Sequence, residues 1–384
     1  MIPGIVFRIQ TVAETMNLEL FEKILAIEST SGMERHLAEY LETRFPEEDS
    51  KCCCERYEVG DGTLNLLFRW REDGAAGEKP AALPAVLLCS HLDTVPPYIA
   101  PQFRKISAGT VLPDGNVAAS DDILVTGRGS CDAKGQFFSM WTACSALAAA
   151  MPAGKDGFHD FGLLLLAGEE TGSFGAKAFD RDCPGSDWII VGEPTGNMMA
   201  SASKGTKSFA VTVHGKACHS GYPELGESAV DIFMDIIGRL KRVEFPEDPV
   251  SGRTTWNIGK LVSDNPQNIL SPLLTFRIYF RTTSASDAMV QEVMSGLASD
   301  KVEVQALGGD TPMEYSVFDG YGSKPVAFGS DTPRLNKFTH RSLCGPGSIF
   351  VAHTPREYVL VSELEKACAQ YRDMICKILK NNTI

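Results

Sequence analysis

Leu88-Cys89-Ser90-His91-Leu92-Asp93-Thr94-Val95-Pro96 is an apolar strand that runs directly into His-x-Asp. The preceding residues Ala85, Val86 and Leu87 are apolar without alternation, as in a strand covered on both faces. An amphipathic helix carrying Leu18, Leu20, Phe21, Ile24 and Leu25 opens the chain's patterned part, and a second helix runs from Gly32 to about Phe45. Leu64-Asn65-Leu66-Leu67-Phe68 reads as a strand, 71–80 as a polar loop and 135–150 as a helix. Strands follow at 162–167 and 188–191. Alternating helix and strand signals predict an α/β architecture with a mixed, mostly parallel central sheet.

Near Lys204-Gly205 the texture changes. Ser208-Phe209-Ala210-Val211-Thr212-Val213-His214 alternates with period two, as a strand with one covered face does. A helix at 228–240, strands at 255–259 and 273–281, a helix at 286–297 and a strand at 301–305 complete the order strand, helix, strand, strand, helix, strand. That order predicts an inserted α+β, ferredoxin-like domain with an antiparallel sheet. The expected division is 16–203 with 316–384 as one domain, 204–315 as the insertion, and 1–15 as an N-terminal extension too short and too charged at Arg8 for a signal peptide.

A chain of 384 residues exceeds one ordinary hydrophobic core, which agrees with two domains. The net charge of −13 argues against nucleic-acid and anionic-membrane partners, both of which need clustered cations, and favours a small molecule or peptide. Eleven scattered cysteines do not resemble a disulfide framework, so a reduced, cytoplasmic protein is expected. Cys52-Cys53-Cys54 has no second Cys or His pair at zinc-finger spacing and reads as strand.

Five stretches carry chemistry. In His91-Leu92-Asp93 the imidazole could ligate a metal while Asp93 orients it, although a hydrogen-bonded pair at a strand end has the same pattern. Gly127-Arg128-Gly129-Ser130-Cys131-Asp132-Ala133 places Asp132 before a helix, where an acid also serves as a cap. Glu169 and Glu170 follow the apolar run 162–167, and adjacent acids there are costly without a cation or a shared proton. Glu193 follows 188–191, and His353 follows Val351-Ala352. Open α/β sheets gather ligands at the carboxyl ends of their strands, and these ends deliver His, Glu-Glu, Glu and His. Nitrogen and oxygen donors without thiolate suit zinc, cobalt or manganese, and the number of donors suits two ions sharing a carboxylate.

These motifs, in this order, resemble the metallopeptidase family that contains acetylornithine deacetylase, succinyl-diaminopimelate desuccinylase, aminoacylase and the glutamate-releasing carboxypeptidase. The resemblance runs from about Met16 to the end and implies a hydrolase-like catalytic domain with an inserted lid that forms a homodimer. It implies His91 and Glu193 on one metal, Glu170 and His353 on the other, Asp132 bridging, Asp93 behind His91, and Glu169 as general base. Within the lid, Gly215-Lys216-Ala217-Cys218-His219-Ser220-Gly221 resembles the motif whose histidine stabilises the oxyanion, often in the partner subunit's site. Asn268 and Arg281 resemble the pair that binds a substrate carboxylate, and Gly345-Pro346-Gly347 a loop lining the substrate pocket. Alone, His219 would be a surface histidine and Arg281 an outward strand charge. Ala133 and Ser228 depart from residues frequent in relatives. The bond after the bridging Asp is often cis there, so Asp132-Ala133 is expected to be cis.

The implied reaction is hydrolysis of the amide of an N-acyl amino acid, nearest to acetylornithine deacetylase and so to arginine biosynthesis. Dipeptidase, carboxypeptidase or succinyl-diaminopimelate desuccinylase activity is the alternative, and a metal-free dimeric scaffold a remote one. The substrate would be a small N-acyl amino acid or dipeptide.

Overall fold

The computed structural model describes residues 16–60, 62–72 and 82–381; the expected 1–15 extension and most of the 71–80 loop lie outside them. Packing separates Met1–Ala200, Ser316–Ser323 and Ser330–Ile384 from a second unit, Ser201–Tyr315 with Lys324–Gly329. The segment Lys324–Gly329 groups with the second unit, where the Lys204 amide donates to the Val326 carbonyl at 3.1 Å.

The first unit begins with α1 (Leu18–Ala26), capped by the Asn17 side chain and buried through Leu20, Phe21, Ile24 and Leu25. Next come α2 (Arg35–Glu48), β1 (Cys52–Gly60), β2 (Thr63–Arg71), β3 (Val86–His91), β4 (Gln102–Ile106), β5 (Asp122–Thr126), α3 (Lys134–Ala150), β6 (Phe158–Leu166), α4 (Phe174–Asp182) and β7 (Ser186–Val191). The chain passes through β8 (Met199–Ser203) into β9 (Gly205–His214), α5 (Ala229–Lys241), β10 (Thr255–Val262), β11 (Leu273–Thr282), α6 (Asp287–Ser295), β12 (Val302–Gly308), β13 (Met313–Glu314) and β14 (Ser323–Val326). It returns through β15 (Phe338–Leu343) and β16 (Tyr358–Leu360) to α7 (Val361–Asn381).

The central sheet has the order β1-β2-β6-β3-β7-β15. Its β6-β3, β3-β7 and β7-β15 pairs are parallel, while β1-β2 and β2-β6 are antiparallel. Every residue of β3 is buried, as its unbroken apolar run requires. The second unit is an antiparallel sheet β10-β11-β9-β12, with Phe209, Val211, Phe276, Ile278 and Phe280 packed with Ala229, Ile236, Leu240, Val290 and Met294 of α5 and α6 in one core. Ser228 caps α5, its hydroxyl accepting from the Val230 amide. Among the described residues no helix is long and apolar enough to cross a membrane.

Candidate metal centre

Three chain passages, at the ends of β3, β6 and β7, bring donors to one side of the central sheet, and two loops complete the set. His91 is the last residue of β3. Its Nδ1 lies 2.9 Å from the Asp93 main-chain oxygen and 3.5 Å from the Asp93 carboxylate. The carbonyl is therefore the nearer orienting group, which leaves Nε2 for a ligand. The Asp93 carboxylate accepts from the Glu169 amide at 2.9 Å, the Glu170 amide at 3.2 Å and the Ser31 hydroxyl at 2.8 Å. Asp93 thus fixes the loop that carries both glutamates. Gly168 turns that loop with φ +66°, and a Cβ there would fall inside the Phe174 ring.

Asp132 sits in the turn before α3, and the Asp132-Ala133 peptide is cis, as expected. Its two oxygens face opposite ways: Oδ1 lies 3.2 Å from His91 Nε2 and Oδ2 lies 3.2 Å from His353 Nε2. His353 Nε2 is also 2.9 Å from Glu170 Oε1. Contrary to the expectation, His353 does not end a strand. It stands in a turn ten residues after β15, with φ +62°, a conformation uncommon for histidine. That turn is attached to the loop after β7, the Gly196, Asn197 and Ile349 amides donating to Gly347, Gly345 and Pro194 carbonyls.

The donors form His91/Asp132/Glu193 and Asp132/Glu170/His353, which share Asp132, and a third group, His91/Glu169/Glu170, each with ligand atoms within 4.8 Å of one another. No candidate group among the described residues contains a cysteine. Glu193 Oε1 is buried without a hydrogen-bond partner. Four acids, Asp132, Glu169, Glu170 and Glu193, thus face two imidazoles, an excess of buried negative charge that two divalent cations would relieve. The donor set fits such ions.

Burial pushes the Glu169 carboxyl well above its usual range, with Asp331, Glu170 and Asp132 adding to the effect and His91 opposing it. Burial likewise raises Glu193. Asp132 is held low despite burial, because His353 and His91 donate to it. Hydrogen bonds to Asp132 and Glu170 push His353 up to about 10.

Gly345 and Gly347 pack rather than merely line a loop: a Cβ at Gly347 would approach Cys131 Cβ to 2.5 Å, and one at Gly345 the Glu193 carbonyl to 2.8 Å. In the second unit His219 is exposed, and its Nδ1 accepts from the Gly221 amide at 3.1 Å. The Ser220 amide donates to Asn268, so these two loops adjoin. Arg281 lies at the other end of the ladder, since Leu273 pairs with His214 while Arg281 pairs with Thr206. Eight residues of β11 separate the ends, about 26 Å at roughly 3.3 Å per residue.

Sequence reasoning missed Asp331, a buried acid whose carboxyl burial pushes up to about 7 against the charge of His91. It also missed the buried pair Arg128 and Glu357. Arg128 lies in the glycine-rich stretch before α3 and Glu357 four residues past His353, but pairing across 229 residues leaves no local pattern.

The peptidase dimerisation domain of the M20 group matches residues 201–301. A probable carboxypeptidase of Neosartorya fischeri is 31% identical over 95% of this chain and 87% of its own length. A tripeptidase of Staphylococcus aureus has a similar structure, with TM-score 0.72 and 19% identity over 95% of this chain and 98% of that one. So does a Bacillus subtilis protein described as a dinuclear metal-binding peptidase, with TM-score 0.61 and 12% identity over 94% and 96%.

Proposed function

The chain belongs to the M20 metallopeptidase family, hydrolases of peptide bonds, and from that premise we propose that it removes the C-terminal residue from small peptides or N-acyl amino acids. The observation that carries the reading is the pair of His-carboxylate groups sharing Asp132, with the half-buried Glu169 beside them. His91, Asp132 and Glu193 would hold one divalent ion and Asp132, Glu170 and His353 the other, zinc first, with cobalt or manganese possible. Such ions supply Lewis acidity for water and for the scissile carbonyl.

The protein's own groups then divide the remaining work. Glu169, whose carboxyl burial raises above its usual range, takes a proton from the attacking water and returns it to the leaving amine. His219 donates to the oxyanion, and Arg281 with Asn268 fixes the substrate carboxylate. The span of β11 means that one subunit cannot apply both Asn268 and Arg281 to one carboxylate. The reading therefore needs a homodimer in which His219 and Asn268 come from one subunit and Arg281 from the other.

Names of the relatives favour a carboxypeptidase or dipeptidase over an acetylornithine deacetylase, although both break an amide next to a free carboxylate. A panel of dipeptides, N-acetylornithine, N-acetylcitrulline and succinyl-diaminopimelate, each with zinc, cobalt or manganese, distinguishes them. The free-carboxylate requirement is tested with C-terminally amidated dipeptides, which should resist cleavage; rapid cleavage of these would refute the reading. A purified chain that takes up no divalent ions would favour the scaffold alternative.

A further inference from the structure

Glu357 belongs to the turn that carries His353, yet its side chain reaches the turn that carries Asp132. Its Oε1 accepts from the Cys131 and Asp132 amides, each at 3.2 Å. Its Oε2 lies 2.5 Å from Arg128 Nη1. The same Nη1 donates to the Thr354 carbonyl at 3.5 Å, and Arg128 Nε donates to the Pro97 carbonyl at 3.3 Å. The Glu357 carbonyl in turn accepts from the Gly127 amide at 3.3 Å. Segment 127–132 is therefore stitched to residue 357 at both ends. Side chains of both charged partners are almost wholly enclosed, with 2% and 1% exposure.

The two segments leave the paired ends of β5 and β16, where Thr126 stands opposite Tyr358, and beyond that ladder they deliver the shared carboxylate and the second imidazole without strand pairing of their own. Asp132 can serve both sides only if its carboxylate plane is aimed between His91 and His353, which depends on the backbone it hangs from. That backbone's amides point at Glu357. An acid with its charge balanced by a fixed guanidinium is a stronger acceptor for two amides than a neutral group.

We propose that Glu357, braced by Arg128, is a positioning residue that locks the Asp132 turn to the His353 turn and so sets how tightly the site holds its two ions. The inference rests on the two-metal reading above. Groups behind metal ligands commonly contribute 10- to 100-fold in metal affinity or activity when removed, roughly the scale expected here. A merely structural ion pair would change melting without changing zinc affinity in the folded protein.

The test compares the full-length wild type with Glu357→Ala and Glu357→Gln, measuring zinc dissociation constants by chelator competition well below the melting temperature. Turnover and the melting of the chelator-treated proteins are recorded alongside. Glu357→Ala should weaken zinc binding about 10- to 100-fold, and kcat should fall more than KM rises. Glu357→Gln should show a smaller weakening, because one amide oxygen can serve the two amides or Arg128 but not both. If Glu357→Ala does not fold, Glu357→Gln decides. Wild-type zinc affinity in either folded variant overturns the inference while leaving the proposed function intact. A wild type that binds no zinc, cobalt or manganese defeats both.

Discussion

His353 is held by two carboxylates, one oxygen each from Asp132 and Glu170, and these contacts push its pKa up to about 10. The sign follows directly. Below that value the ring carries a proton, and a ligating imidazole must be neutral, so an entering cation has to displace it. His91 is held up as well, since hydrogen bonds to Asp132 and Asp93 outweigh burial, which acts in the opposite direction. Metal binding near neutrality should therefore release at least one proton, and affinity should rise about tenfold per pH unit for each proton released. Calorimetric manganese titrations between pH 6 and 8, in two buffers of different ionisation heat, measure this. Proton uptake, or an affinity flat across that range, would contradict the assignment of His353 as a ligand. At this scale the donors themselves were legible, because acids and imidazoles at the ends of apolar runs are conspicuous. What stands behind them was not: Arg128 and Glu357 meet across 229 residues, Asp331 is buried near His91 from a distant segment, and their residue types are ordinary where they stand.

Among the elements, β2, β3, β6 and β7 of the central sheet and β9 to β12 of the second unit were legible from their apolar patterns: β6 reads as Gly162-Leu163-Leu164-Leu165-Leu166, and every second residue of β11 is buried. The edge strand β15, Phe338-Thr339-His340-Arg341-Ser342-Leu343, has no such pattern and was not. The small sheet β16-β5-β4 was not. β4 has one buried residue in five and β16 only three residues, too little for period two to emerge. The loop 344–353 was legible by its glycines but not by their purpose. Gly347 has φ +77° and faces Cys131, next to Asp132, whereas Gly320 has φ +87° and nothing within 4 Å of the same position. Gly320→Ala should cost only the left-handed backbone, about 1–2 kcal/mol. Gly347→Ala adds overpacking against the metal-bearing turn, for a total of roughly 2–4 kcal/mol. Urea unfolding of the two variants measures the difference. Equal losses would mean that the turn yields freely, and that close packing at Gly347 does not hold Asp132 in place.

The molecule has two separate hydrophobic cores, one for each unit, and the function proposed above gives the ions to the first unit and His219, Asn268 and Arg281 to the second. The reading that His219 serves the partner subunit's site can be decided by mixing inactive chains. Glu169→Gln removes the base and His219→Ala the oxyanion donor, so each homodimer should have little turnover. If His219 acts across the dimer, a heterodimer contains one site with wild-type Glu169 from one chain and wild-type His219 from the other, and a second site lacking both. Random reassortment makes half the dimers mixed, so activity should recover to about a quarter of wild type per chain. If His219 acts within its own chain, every site in every dimer lacks one group, and mixing recovers nothing. The separation of Asn268 from Arg281 along β11 calls for two subunits at one carboxylate, because a carboxylate is only a few ångströms across while the strand between those residues is several times longer, and the mixing experiment decides which of the two ends acts across the dimer. Activity no greater than the average of the two parent variants, after exchange verified by mass-labelled subunits, would place His219 in its own subunit's site, and the span of β11 would then call for Arg281 from the partner.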